Sequence, residues 1–384
     1  MKWWKKISLI ISAACTSLAL PSCAEKEPVA LTGSITGTVT NFKTGNALSG
    51  VTVEIVANAN TGFSRQTGQT GDDGNFSFGD IEASSYKVSF SQSGYADNSK
   101  DVTVPVGQTV TCDAVLTIHP DFEITSDVLT AYYGKGGRVV IPEGVTSIGR
   151  SVFQDNLSLT SVLIPEGVNA IGEEVFSGCN NLATATLPNT LRTVGEHAFA
   201  YCHALTSITI PDGVTTIDNW AFSLAGFTSV AIPGSVGSIG YLAFSGSTNL
   251  TSIAVSADNP SYLSDNGVLF NKAKTLLVQC PAGKQGNYAI PSGVTDVEIG
   301  AFYGCSGLYS ISIPQSVARV GDYAFNLCTA LTLMTVEWTN PINVSYNIFS
   351  NISIEKITLR VPSGTKAAYQ AANVWKNFGT IIEY

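Results

Sequence analysis

Apolar and polar residues alternate along this chain in two rhythms. Between Gly33 and Thr117, short period-two runs (Ile35/Val39, Val51/Val53/Ile55, Phe76/Phe78, Tyr86/Val88/Phe90 and Val102/Val104) are split by Gly, Asn and Asp. Such alternation predicts antiparallel strands with one buried face. After Pro120 the pattern becomes strictly periodic. Prolines at 142, 165, 188, 211 and 233, and again at 291 and 314, recur every 22 or 23 residues, and each is followed eleven residues later by Phe: 153, 176, 199, 222, 244, 302 and 325. A fixed period of this length predicts a solenoid whose coils stack to bury a shared core.

The repeated unit has a physical reading. Before each Pro runs an apolar-x-x-apolar-x-apolar segment, as in Leu159/Val162/Ile164, Leu205/Ile208/Ile210 and Leu308/Ile311/Ile313. Its last residues predict a short strand that pairs with the same strand of the next coil. Pro, having no N–H to donate, ends that strand. A Gly-Val-x-x-Ile-Gly turn follows (Gly144 to Gly149, Gly167 to Gly172), then a segment whose Phe plugs the coil. Ser256 and Glu337 stand where Pro is expected, which predicts that two strands continue. From Ser256 to Pro291 the spacing is twelve residues too long. The excess holds two apolar runs around Lys272-Ala273-Lys274 and reads as a projecting hairpin or an elongated coil. Residues Phe122 to Ile141 read as a capping hairpin turning at Gly134-Lys135-Gly136-Gly137. At the other end Ser363 is expected to N-cap a helix that lays Trp375 and Phe378 over the last coil.

These phased positions resemble the BspA-like leucine-rich repeat, in which Ile-Pro-x-x-Val-x-x-Ile-Gly-x-x-Ala-Phe-x-x-Cys-x-x-Leu recurs. The resemblance spans residues 121 to 384, with a C-terminal cap over 360 to 384. Asp218 and Glu298 replace the usual Gly, and Asn156, Ala225 and Ser247 the usual Cys. Upstream, Gly37-Thr38-Val39, Thr44 to Val53, Asp73-Gly74-Asn75-Phe76 and Gly94-Tyr95 resemble a carboxypeptidase regulatory-like domain over residues 33 to 118. That resemblance implies a transthyretin-like sandwich of about seven strands, usually a non-catalytic spacer. The expected fold class is therefore mainly β: a β-sandwich followed by a leucine-rich repeat solenoid.

Residues 1 to 22 combine Lys2, Lys5 and Lys6 with an apolar stretch from Ile7 to Leu20 that ends in Leu20-Pro21-Ser22-Cys23. This is similar to a bacterial lipoprotein signal peptide, which makes Cys23 the lipidation site and residues 23 to 32 a tether. An ordinary signal peptide cut nearby is the alternative. The resemblance implies an exported outer-membrane lipoprotein of a Gram-negative bacterium, displayed at the cell surface. The short acidic run Glu25-Lys26-Glu27 agrees with that placement.

Composition narrows the chemistry. Of the 384 residues only 13% are charged, with 20 Lys and Arg against 29 Asp and Glu. Loss of residues 1 to 22 removes three Lys and no acid, shifting the formal charge from −9 to −12. No field attracts phosphate backbones, so nucleic acid is not expected as a partner. Four of the eight Cys, at 179, 202, 305 and 328, lie fourteen residues after their coil's Pro and read as a ladder of small buried residues. Adjacent rungs are near enough for a disulfide without requiring one. His197, Cys202 and His203 share no zinc-ligand spacing. Asp72-Asp73-Gly74-Asn75 reads as a hairpin turn, with calcium binding as the alternative. Neither a nucleophile triad nor a phosphate loop is present in a recognisable frame, so no enzyme and no cofactor is expected.

The expected ligand surface is the outward side of the strands. The positions two and four before each Pro give Ser161 and Leu163, Thr184 and Thr186, Ser207 and Thr209, Ser229, Ser310 and Ser312. Aromatic candidates are Tyr132, Tyr133, Tyr201, Trp220, Tyr241, Tyr303 and Tyr323, of which Trp220 and Tyr241 join the expected face. Together these predict a non-catalytic surface protein that binds a protein or glycan, with the family resemblance implying adhesion to host, matrix or other bacteria. An accessory glycan-binding protein of a polysaccharide-uptake system is the alternative.

Overall fold

The computed structural model describes residues 31–58, 65–92 and 94–384. The expected signal peptide, Cys23 and most of the tether lie outside the described residues. Eight strands form the N-terminal sandwich: β1 (Thr32–Asn41), β2 (Thr52–Ala57), β3 (Gln66–Gln69), β4 (Asn75–Glu82), β5 (Ser85–Ser91), β6 (Asn98–Thr103), β7 (Thr109–Thr111) and β8 (Ala114–Leu116). One sheet runs β4-β1-β7 with β8 also on β1, and the other runs β3-β2-β5-β6. Alternate residues of β1 are buried along its whole length, as the period-two pattern requires. Both β7 and β8 pair in parallel with β1, so they amount to one strand interrupted at Cys112-Asp113. Gly37 permits that approach, because a Cβ there would lie 2.4 Å from the Cys112 carbonyl oxygen.

The solenoid follows from Phe122 onward, and each regular coil has three walls. The first is the predicted strand, pairing in parallel from coil to coil: Gly137–Val140, Leu159–Leu163 and Thr184–Thr186, then Ser229–Ile232 and Ser252–Val255. The expected Val-x-x-Ile turn is itself a second ladder. Its two-residue strands Ser147–Ile148, Ala170–Ile171, Thr193–Val194, Thr216–Ile217 and Ser238–Ile239 also pair in parallel.

The third wall carries Phe, and here the backbone does what sequence patterning does not announce. The residues two before and two after each phased Phe have φ between 54° and 78°, for example Ser151/Asp155, His197/Tyr201, Trp220/Leu224 and Gly300/Gly304. Non-glycine residues in this left-handed region cost about 1–2 kcal/mol each. The alternation turns every second amide toward the next coil, which offsets that cost. Ser151, Phe153 and Asp155 N–H donate to the carbonyls of Glu173, Val175 and Ser177 at 2.8–2.9 Å. Inside, the Phe rings stack with centroids 5.0–5.5 Å apart from Phe153 to Phe244 and from Phe302 to Phe349.

The long interval after Ser256 does not project as a hairpin. Tyr262–Asp265 and Val268–Asn271 form an antiparallel hairpin about Asn266-Gly267, both at positive φ, and Leu276–Gln279 continues the two-residue ladder into Asp296–Val297. Val268, Leu269 and Phe270 are all fully buried. Leu269 packs into the core before the hairpin, while Val268 and Phe270 pack into the core after it. A strand sends successive side chains to opposite faces, so this one is a partition between two cores. The inserted coil carries no phased Phe, and the third wall receives the next coil from both sides of it: Gly246 N–H donates to the Tyr303 carbonyl at 3.2 Å and Cys280 N–H to the Ala301 carbonyl at 2.7 Å. A Cβ on Gly304 would lie 2.9 Å from the Gly246 Cα, which explains glycine at that seam.

Both lids differ in detail from expectation. The N-terminal hairpin, Phe122–Thr125 with Val128–Tyr132, turns at Ser126-Asp127, both at positive φ. Gly134 to Gly137 instead carries the chain across to the first ladder. At the C-terminus the helix is Lys366–Ala371 with Thr365 as N-cap, and the Ser363 hydroxyl donates to the Tyr384 carbonyl at 2.7 Å. Tyr369, Trp375 and Phe378 are buried over the last coil. At Ser256 and Glu337 the strands stop at Val255 and Val336, but the amide that Pro would lack adds a cross-coil bond, to Ile232 and Ile313 respectively.

Candidate functional site

The ladders separate the expected ligand residues into two groups. Ser161 and Leu163 lie opposite Thr184 and Thr186, Ser229 opposite Ser252, and Ser310 and Ser312 opposite Leu333 and Thr335, all on the outward side of the first ladder. Trp220 and Tyr241 lie on the Phe wall. Trp220 stacks on His197 of the preceding coil at 5.7 Å and 9°, and meets Tyr303 from beyond the insertion at 5.9 Å and 86°. With both neighbours in place the indole closes the seam beside the inserted coil. Burial raises the Tyr303 phenol pKa above its ordinary value, with Tyr201 adding to the effect. Tyr201, Tyr241 and Tyr323 stay exposed along this wall, and Tyr132 packs between Phe122 and Phe153. Tyr133 is exposed, its hydroxyl donating to the Glu123 carboxylate at 2.6 Å.

The phased cysteines belong to the Phe wall as well, whereas Cys112 lies in the sandwich core. All six described cysteines are free and buried. Cys179, Cys202 and Cys328 donate to the carbonyls of Phe153, Phe176 and Phe302, each in the preceding coil, at 3.0–3.2 Å. Ser247, in the same phase, donates to the Phe222 carbonyl at 3.4 Å. Where it holds Cys or Ser, the phased position thus serves as a small hydrogen-bond donor to the neighbouring coil. Burial pushes the Cys179 thiol up to about 12 and raises Cys202 and Cys328 further. These thiols are inert to chemistry that needs a thiolate. Among the described residues no three His, Cys, Asp or Glu converge on a metal-sized site. In the expected hairpin turn, the Asp73 carboxylate accepts the Asn75 backbone and side-chain N–H at 3.0 and 2.7 Å, which holds its pKa below the ordinary value.

Pairing on the hydroxyl ladder lapses twice: beside the inserted hairpin, between Ser252–Val255 and Gln285–Ala289, and within the regular coils. Pairing stops after Thr184–Thr186 and resumes at Ser229–Ile232, and residues 206–210 between them form no strand. That coil is held at its ends, by Ala204 N–H to the Asn180 carbonyl at 3.1 Å and Thr228 N–H to the Thr206 carbonyl at 3.4 Å. Two residues account for the opening. Ala185 stands where Val162, Val230 and Ile253 fill the core from neighbouring strands, and Phe227 stands where Leu159, Leu182 and Leu205 do. The coil between Pro211 and Pro233 is also one residue short. Ile208, in the same rung position as the small Ala185 and beside the coil that Phe227 enlarges, is only partly buried.

The result is a cavity of about 410 Å³ ringed by Thr184, Thr186, Ser207 and Thr209, with Asn189 at one end. Leu187, Ile208 and Pro211 give it apolar contact surface. None of its lining residues is ionisable. Nearby charges are engaged elsewhere. The Glu166 carboxylate accepts the Asn189 and Thr190 amides at 3.0 and 3.2 Å, which lowers its pKa, and Arg192 Nη1 donates to the carbonyls of Asn189, Leu191 and Gly213. Four of the expected ligand residues thus converge, while Asn189 and the opening itself were missed. The signals were the Ala at a core position and the 22-residue spacing. A second cavity, about 550 Å³, lies between sandwich and solenoid and includes Thr52, Gln92, Asp97, Arg138 and Glu143. Leu163 lines this cleft too, at the sandwich end of the ladder.

Comparison with known proteins bears on the whole chain. The family described as BspA type leucine rich repeat region matches in six copies over residues 133–266 and 284–372, more than half of the chain. The carboxypeptidase regulatory-like domain matches residues 34–117. Among solved structures, a leucine rich cell surface protein from Faecalibacterium prausnitzii is 23% identical, with 68% of this chain and 92% of that one covered and a TM-score of 0.49. A leucine-rich repeat protein from Eubacterium ventriosum is 22% identical, covering 67% and 78%, with a TM-score of 0.49. The pneumococcal vaccine antigen PcpA is 18% identical, covering 72% and 87%, with a TM-score of 0.45. No curated protein matches the chain.

Proposed function

Because the chain belongs to the BspA-type leucine-rich repeat family, with a carboxypeptidase regulatory-like domain ahead of the repeats, we propose that it is an exported, non-catalytic protein that presents its solenoid as a binding surface. The observation that carries this reading is the first ladder. Its outward positions are fixed in register by cross-coil pairing and are lined by hydroxyl residues, and its opening at residues 206–210 gathers four of them around a cavity. A stacked sheet of this kind is rigid before a ligand arrives, which lowers the ordering cost of binding.

In this reading Cys23 bears the lipid, the sandwich acts as a spacer, and the solenoid stands away from the outer membrane to adhere to host, matrix or bacterial partners. Immobilised matrix proteins, whole bacterial cells and glycans, each tested for binding to the mature chain, check the function. Retention by none of the three defeats it. Protease shaving of intact cells checks the placement: cleavage of the protein alongside known surface markers supports display, and protection while the markers are cut defeats it.

A further inference from the structure

We propose that the opening between the strand at Thr184–Thr186 and residues 207–209 is a subsite for an uncharged sugar residue of a glycan. The inference rests on the ligand-binding reading and gives it a ligand class. Three observations point the same way. First, among the described residues the hydroxyls of Thr184, Thr186, Ser207 and Thr209 find no hydrogen-bond partner, and no backbone bond joins residues 207–210 to either neighbouring strand. These groups are satisfied by water, and sugar hydroxyls replace water as both donors and acceptors.

Second, the lining holds no charge, and the acidic chain repels polyanions. A sulfated or uronic sugar finds no partner here, whereas a neutral one leaves no ion unpaired. Third, the volume of about 410 Å³ lies within the range of small-ligand pockets and offers none of the Trp, Tyr or Arg anchors on which protein partners depend. The Asn189 side-chain amide is held at 3.2 Å by Glu166, so the end of the site is pre-set.

Saturation-transfer difference NMR on the mature full chain tests the proposal, with neutral gluco-, galacto- and manno-oligosaccharides as probes beside galacturonate oligomers. At least one neutral probe is expected to receive saturation and the uronates none. In the double variant Thr186→Val, Thr209→Val, which keeps shape and strand propensity, the apparent Kd is expected to rise about tenfold or more with thermal midpoint unchanged. Single Asn189→Ala serves if the double variant does not fold. No saturation of any neutral probe, preferential binding of uronates, or an unchanged Kd in folded variants overturns the proposal. Matrix-protein binding measured on the same preparation separates the two readings: if it persists without sugar binding, the sugar subsite falls and the binding function stands.

Discussion

The Phe wall and the hydroxyl ladder repeat with the same period, yet they resolve the same stacking problem in opposite ways. On the wall, identical rings stack inward at 5.0–5.5 Å, and the backbone accepts left-handed residues on both sides of each ring so that amides reach the next coil. There a changed residue is absorbed without breaking the stack: Ser247 replaces a Cys and still donates to the neighbouring Phe carbonyl. On the ladder, the side chains of Thr184, Thr186, Ser207 and Thr209 face solvent, and the pairing lapses where Ala185 and Phe227 alter the core volume beneath it. A repeat that buries its side chains fixes geometry, whereas one that exposes them is free to vary.

That contrast is breakable, most forcefully at the wall. Phe199→Ala is expected to lower stability by about 3–5 kcal/mol, read as a fall in the midpoint of denaturant unfolding, because stacked neighbours on both sides prevent collapse of the cavity. A loss below about 1 kcal/mol sinks the idea that the wall is the rigid element. Next comes Cys202→Ala, expected to cost about 0.5–1.5 kcal/mol by removing one of the two hydrogen bonds to the Phe176 carbonyl, the other coming from the Cys179 N–H, with Cys202→Ser retaining much of the difference.

The thiols also give the wall a pH signature. Cys179 titrates at an ordinary value of 9.0 when unfolded and near 12 when buried. Above pH 9 the unfolded chain therefore loses a proton that the folded chain keeps, so stability is full below pH 9 and falls as pH rises toward 12. Thermal midpoints measured from pH 8 to 11 check this, as does the silence of the native thiols toward a disulfide reagent at pH 8. Trp220→Ala, which opens the seam between His197 and Tyr303 without entering the core, is expected to cost about 1–2 kcal/mol. Smallest of all, Thr186→Val with Thr209→Val should change stability by no more than about 0.5 kcal/mol. A larger loss would place those residues with the wall and not with the open face.

Much of this architecture was readable in the residue pattern. The phased Pro and Phe positions predicted coils, a strand ladder and a Phe plugging each coil because each is a local consequence of period and burial. The inserted hairpin was visible only as excess length. Its apolar run Val268-Leu269-Phe270 suits either a projection or a partition, and only the presence of a core on both sides selects the second. Likewise the expected binding face mixed Trp220 and Tyr241 with the strand hydroxyls, since spacing from Pro does not say which wall a residue lies on when each coil has three.

By itself the sequence determined the repeat, the sandwich ahead of it and the uncharged character of the outward strand positions, because those follow from what each residue prefers beside its near neighbours. Tertiary structure alone decided where the ladder opens, which aromatics close the seam and which face each candidate occupies. The reason is volume: whether Ala185 and Phe227 leave a gap depends on the sum of side chains stacked from three coils, a quantity no single coil contains.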